Sequence, residues 1–187
     1  MRTIVIMLVA ATAIAACSGS SNKPDDKPTE DKVATEDPMK DVPLIDRNVL
    51  FGNPDRAAVR VSPDGQRLAW LAPSDEGVLN VFVGSWDDPG SAKQVTDDTS
   101  RGIRMYTWAW DNEHILYIQD KGGDENWHVY ATNLESNETR DLTPMDGVQA
   151  RISQMSHTSP GKVIVGINDR NPQFHELYEV EIATGKA

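Results

Sequence analysis

Short stretches of alternating apolar and polar residues return along this chain at a constant interval. The most regular stretch places an aromatic residue directly after an aliphatic one, and its three copies lie 48 residues apart: Val81-Phe82, Val129-Tyr130 and Leu177-Tyr178. Alternation with a period of two is typical of a β-strand that buries one face. The pattern therefore predicts one strand that occurs three times.

A second strand is predicted shortly before each copy, over residues 68–71, 115–118 and 163–166. A turn precedes each second strand, and the first of these turns reads Ser62-Pro63-Asp64-Gly65. Proline presets φ, aspartate can accept a hydrogen bond from its own backbone, and glycine accepts a positive φ. Equivalent turns are predicted at the matching places of the other two copies, over residues 110–113 and 159–162.

Outer strands are predicted over residues 93–96 and 139–143, which gives a repeat up to four short antiparallel strands. Such units with a period in the forties are typical of β-propeller blades, whereas a β-sandwich or a meander rarely repeats at a fixed long interval. We therefore expect an all-β fold, a partial β-propeller of about three four-stranded antiparallel blades, at about 56–100, 101–147 and 148–187. Propellers close with about four to eight blades, so the chain is expected to be cut before the propeller closes.

Residues 1–17 have the features of a lipoprotein signal peptide. Arg2 supplies a positive start, and the apolar run that follows is shorter than the about 20 residues that span a bilayer. Ala15-Ala16-Cys17 resembles the bacterial lipobox, in which the cysteine is lipidated and becomes the new N-terminus. Cys17 is the only cysteine of the chain, so we expect a lipid anchor there and no disulfide. The chain is then exported and anchored to the cell envelope, and Ser18 favours the outer membrane, facing the periplasm.

Residues 18–42 contain no aromatic residue and few aliphatic ones, which predicts a disordered acidic linker before a folded part at 43–187. The formal net charge of the whole chain is −11, and the folded part shares this acidity. Nucleic-acid binding needs clustered Lys and Arg to neutralise phosphates. The composition therefore argues against a nucleic-acid partner.

Candidates for catalysis and metal binding are few. Ser156 and His157 are adjacent in sequence, but adjacency does not create the geometry of a catalytic triad. The four histidines, at positions 114, 128, 157 and 175, show no metal-ligand spacing. His128 and His175 lie on or beside predicted strands, where we expect them to be packed or hydrogen-bonded.

Two further segments have a favoured structural interpretation. Residues 120–126 carry Asp, Gly and Asn as a calcium loop does, but they lack its alternating oxygen ligands and predict a hairpin turn. Trp108 and Trp110 alternate across a predicted strand, and packing against the next blade is favoured over lining a channel. We therefore expect no catalytic residue, no metal ligand and no cofactor site in this chain.

Several segments, taken in order, resemble a known family. Residues 49–54, 61–65 and 71–73 are similar to the start of the propeller in bacterial prolyl oligopeptidase family serine peptidases, the dipeptidyl and acylaminoacyl peptidase-like members. Later segments resemble their first three blades: residues 77–81, 124–128, 141–144 and 166–170. The resemblance covers about 43–187, which is the whole predicted folded part.

The resemblance implies a propeller that gates access to an α/β-hydrolase domain carrying the nucleophilic serine, with Asp and His after it. This chain has no G-x-S-x-G motif, so no catalytic residue can be carried over. It is expected to be the N-terminal, substrate-gating propeller of a membrane-anchored serine peptidase, inactive alone, whose peptide substrates would be cleaved by the missing domain. The alternative is a periplasmic TolB-like propeller lipoprotein that acts as a non-enzymatic binding or interaction module.

Overall fold

The computed structural model describes residues 39–187. The chain divides into two units, Met1–Leu44 and Ile45–Ala187, and the fold given below is that of the second unit. The predicted lipidation site Cys17, the signal peptide and residues 18–38 of the predicted linker lie outside the described residues. Within residues 39–187, no helix is both long enough and apolar enough to cross a membrane.

The second unit begins with one short helix and continues in strands. Helix α1 (Arg47–Phe51) starts at Asp46, whose carboxylate accepts a hydrogen bond from the backbone N–H of Asn48 over 2.7 Å. A 3-10 turn at Pro89–Ser91 interrupts the strands. The strands are β1 (Ala57–Val61), β2 (Arg67–Pro73), β3 (Leu79–Ser85), β4 (Lys93–Gln94), β5 (Tyr106–Trp108), β6 (His114–Gln119), β7 (His128–Asn133), β8 (Thr139–Asp141), β9 (Ala150–Met155), β10 (Lys162–Ile167) and β11 (Glu176–Glu181).

These strands form three antiparallel sheets in chain order. The first sheet has the order β1-β2-β3-β4, the second β5-β6-β7-β8, and the third β9-β10-β11. Consecutive strands are hydrogen-bonded neighbours, which is the arrangement of a propeller blade. The structure confirms the predicted all-β partial propeller of four-stranded antiparallel blades, with three strands in the third sheet within the described residues.

The alternating stretches fall on the middle strands of the sheets. Residues 68–71, 115–118 and 163–166 lie within β2, β6 and β10, and the repeated aromatic residues lie on β3, β7 and β11. The outer strands β4 and β8 are shorter than predicted, with two and three residues. The predicted hairpin turn at 120–126 joins β6 to β7.

The 48-residue interval also appears in the backbone hydrogen bonds. The N–H of Leu134 donates to the carbonyl of Glu113 over 2.8 Å, and 48 residues later the N–H of Ile182 donates to the carbonyl of Gly161 over 2.9 Å. Both bonds tie the end of a third strand back to the turn between the first two strands of its sheet. The second and third sheets therefore repeat one backbone structure.

Two hydrophobic cores lie between neighbouring sheets. Ile115 and Leu116 are adjacent on β6 and both are 0% exposed, yet they belong to different cores because their side chains leave opposite faces of the sheet. The first core joins the first two sheets and includes Ala69, Val81, Tyr106 and Trp108. The second joins the second and third sheets and includes Val129, Val148, Val165 and Val180. The middle sheet is therefore packed on both faces.

The tryptophan prediction needs a correction. Trp108 is buried in the first core, and its indole Nε1–H points to the carbonyl of Arg60 over 3.4 Å, so it packs against the preceding sheet and not the next one. Trp110 is 41% exposed, and its ring meets the edge of His157. The difference arises because β5 ends at Trp108, so that Trp110 already belongs to the following turn.

Candidate functional site

The first strands of the three sheets, β1, β5 and β9, share one edge of the assembly, called the inner edge below. Residues of all three strands, together with Arg104, Met105 and Ile118, line a single concavity of about 260 Å³. Strands that lie far apart in the sequence can bound one cavity only where the sheets converge, as blades do at the centre of a propeller. The inner-edge concavity is therefore the part of the fold that faces the channel position.

Strand β1 reaches this edge in an irregular conformation. Its pairing with β2 shifts between Ala57 and Arg60, and Ala58 adopts φ 51 in the left-handed region. A non-glycine residue there is uncommon, and bulges of this kind redirect side chains and are often found beside functional sites. The bulge leaves Arg60 paired with Ala69, on the sheet face that meets the second sheet.

Tyr106 of β5 fastens the bulge of β1. Its hydroxyl donates a hydrogen bond to the carbonyl of Ala58 over 2.6 Å, and the guanidinium of Arg60 lies 5.8 Å from the centre of its ring. Burial raises the pKa of Tyr106 well above the ordinary value of a phenol, against the smaller opposite effect of Arg60. The hydroxyl therefore stays protonated and remains a donor at any physiological pH.

Three arginines, Arg60, Arg104 and Arg151, line the inner-edge concavity, and no acidic residue lines it. All three are exposed. Among the described residues, none of the three forms an ion pair with a carboxylate. In a chain with a net charge of −11, this concavity is a local surface of positive charge.

The hairpin between β6 and β7 uses its carboxylates to hold its own backbone. One oxygen of Asp124 accepts hydrogen bonds from the N–H groups of Lys121 and Asn126 over 3.2 and 3.1 Å. The side chain of Asp120 is 1% exposed, and its Oδ1 lies 3.4 Å from Nε of Arg101. Within the described residues there is no cluster of three side chains that could hold a metal ion.

The histidines of the second sheet are each paired with a carboxylate. His128 Nδ1 lies 2.7 Å from Asp141 Oδ2 on the neighbouring strand, which confirms the predicted hydrogen bond, and His114 Nδ1 lies 2.8 Å from Asp111 Oδ2 in the preceding turn. Burial raises the pKa of Asp111, but hydrogen bonds from His114 and from backbone N–H groups outweigh it and hold that pKa below its ordinary value. Both pairs belong to the blade structure.

Ser156 and His157 do not form part of a catalytic arrangement in the described chain. The hydroxyl of Ser156 lies 2.8 Å from that of Thr158. The ring of His157 faces Trp110, with centroids 5.8 Å apart. The structure therefore places the two side chains in a turn that their own neighbours stabilise.

Comparison with known proteins gives close sequence relatives. No family model matches the chain. Dipeptidyl aminopeptidase BIII of Pseudoxanthomonas mexicana is 47% identical over 142 residues, which cover 76% of this chain and 20% of that protein. Dipeptidyl peptidase family member 6 of Caenorhabditis elegans is 30% identical over 149 residues, with the same coverage of 76% and 20%. The chain thus spans about a fifth of the length of these relatives.

Among solved structures, oligopeptidase B from Leishmania major superposes with a TM-score of 0.50 at 12% identity, over 69% of this chain and 18% of that one. Three sheets with first strands that meet at one concave edge define the chain as part of a β-propeller. The sequence relatives add the family: this chain is a propeller portion of the prolyl oligopeptidase family of peptidases.

Sequence reasoning missed the inner-edge concavity. The signal that could have found it is the 48-residue interval applied to the first strands, since both hydrogen bonds that tie β5 to β1 join residues 48 positions apart. That interval would have aligned Ala58 with Tyr106. The arginines themselves do not follow the interval, so the repeat alone could not have grouped them.

Proposed function

We propose that this chain is the substrate-gating propeller portion of a serine peptidase of the prolyl oligopeptidase family. In this role it admits peptides to a catalytic domain that lies elsewhere in the protein, and it contributes no nucleophile itself. The observation that carries the proposal is the 47% identity to a dipeptidyl aminopeptidase across 142 residues. The substrates would then be peptides, and the chemistry would belong to the other domain.

The geometry fits a gating role. A concavity of about 260 Å³ has room for a few side chains of an extended peptide but not for a folded domain. The walls are held by two cores between rigid sheets, so widening the concavity would disturb close-packed side chains. A propeller of this kind selects substrates by size before any bond is cleaved.

The proposal also includes a lipid anchor at Cys17, which would hold the protein at the cell envelope facing the periplasm. It is supported by the sequence of residues 1–17 and by the absence of a second cysteine. Cys17→Ser should abolish incorporation of a radiolabelled fatty acid and release the protein from the membrane fraction. Labelling that persists in the variant would contradict the anchor.

A segment exchange tests the gating role. Residues 45–187 replace the matching segment of the dipeptidyl aminopeptidase from Pseudoxanthomonas mexicana, and hydrolysis of a dipeptidyl p-nitroanilide is compared with that of casein. We expect the chimera to cleave the dipeptidyl substrate and to spare the folded protein. A chimera that melts as cooperatively as the parent enzyme but cleaves neither substrate would refute the proposal.

A further inference from the structure

The arginines of the inner-edge concavity differ from the other cations of the second unit. On the blade surfaces, Lys162 pairs with Glu179 at 2.5 Å, and the Arg170 guanidinium pairs with Glu176. Arg101 lies beside the buried Asp120. Arg60, Arg104 and Arg151 have no such partner among the described residues, although carboxylates outnumber cations in this chain.

The positions of the three arginines do not serve the packing of the blades in an evident way. Arg104 makes no hydrogen bond and no ion pair within the described residues, and it immediately precedes Met105, which is 61% exposed. Arg151 lies opposite Gly166 on β10, where the missing side chain leaves room for its stem: a Cβ there would lie 3.2 Å from its Nε. Only Arg60 has a described partner, the ring of Tyr106.

We propose that the inner-edge concavity binds the carboxylate side chains of acidic peptides, so that the gate favours substrates rich in Glu and Asp. This inference rests on the proposed gating function and names its substrate class. The planar guanidinium presents paired N–H donors that match a carboxylate, and such charge-assisted bonds are stronger than neutral ones. Repulsion from neighbouring carboxylates is absent because no acidic residue lines the concavity.

The remaining lining residues leave recognition to the arginines. The Tyr106 hydroxyl already donates to the Ala58 carbonyl, so it has no second proton to offer a ligand. Met105 and Ile152 supply apolar surface for the aliphatic stem of a glutamate. A cationic peptide would meet three like charges here, so the concavity discriminates by repulsion as well as by attraction.

The test is a binding titration of the 187-residue protein with two capped tetrapeptides, acetyl-Ala-Glu-Glu-Ala-amide and acetyl-Ala-Gln-Gln-Ala-amide, followed by NMR chemical shifts. We expect the Glu peptide to bind roughly fivefold more tightly at low salt, as two partly exposed ion pairs would give. Raising the ionic strength should reduce this preference.

Variants locate the site. The double variant Arg60→Gln/Arg104→Gln should bind both peptides equally, whereas Arg104→Lys keeps the charge and should keep most of the preference. The matched control is Arg140→Gln, because β8 lies at the opposite edge of the second sheet from β5. Since Arg60 contacts Tyr106, the single variant Arg104→Gln, which removes no described bond, should by itself reduce the preference about twofold.

Each outcome decides the inference. Equal binding of the two peptides by the unaltered protein overturns the selection for acidic peptides but leaves the gating role intact. A preference that survives in the double variant places anion binding elsewhere and overturns it as well. Failure of both peptides to bind overturns it too, while the gating role still depends on hydrolysis by the chimera.

Discussion

Tyr106→Phe tests how the inner edge is held, because it removes one hydroxyl and leaves the ring in the first core. The lost bond is the one to the Ala58 carbonyl at 2.6 Å. Ala58 is exposed, so water can replace the donor, and the expected loss is the net value of one hydrogen bond, about 1 kcal/mol of unfolding free energy. For a domain of this size, that corresponds to a melting temperature lower by about 3 °C.

Urea unfolding followed by tryptophan fluorescence measures this loss, since Trp108 is buried two residues away on the same face of β5. The matched control is Tyr178→Phe, whose hydroxyl bonds the exposed carboxylate of Asp169 at 2.9 Å and should contribute less than about 0.5 kcal/mol. If the two variants lose equal stability, the hydroxyl of Tyr106 does not hold the bulge of β1, and this account of the inner edge fails.

Two further predictions concern the second sheet. Gly123→Ala should lower the unfolding free energy by about 1–2 kcal/mol, because Gly123 has φ +90 and a Cβ there would lie 2.6 Å from Nη1 of Arg101; Gly161→Ala, with open space around it, should change little in the same urea assay. The lowered pKa of Asp111 stabilises the fold above the pKa of the unfolded state, and this contribution is lost as the pH falls through the folded-state pKa. Asp111→Asn should therefore flatten the dependence of melting temperature on pH below about pH 4, and an unchanged acid limb would contradict the role given to the His114 hydrogen bond.

The middle strands of the blades could be predicted from the sequence because both of their faces have a fixed environment. Strand β6 has one side chain in each core at every step, so its residues are constrained to an apolar pattern. The turn at Ser62-Pro63-Asp64-Gly65 was equally predictable, since Gly65 has φ 73 and Asp64 accepts a bond from the N–H of Gln66. Local chemistry decides both features.

The first strands could not be located in the same way. In β1 the bulge at Ala58 breaks the alternation, and β5 has only three residues. Their conformation depends on bonds from the neighbouring sheet, such as that from Tyr106, which no pattern within β1 contains. The concavity needs a further piece of information, namely which edge of each sheet faces the centre.

The repeat itself separates packing from recognition. At the interval of 48 residues, the third strands keep one chemical type, with Phe82, Tyr130 and Tyr178. On the inner edge the same interval gives unlike residues: Ala58, Tyr106 and Gln154 in one register, and Arg60, Trp108 and Ser156 in another. Side chains packed between sheets must fill a similar space in every blade, whereas side chains at the centre meet whatever occupies the channel. Residues that break the repeat at the inner edge are therefore the ones through which this propeller can distinguish one peptide from another, and the arginines are among them.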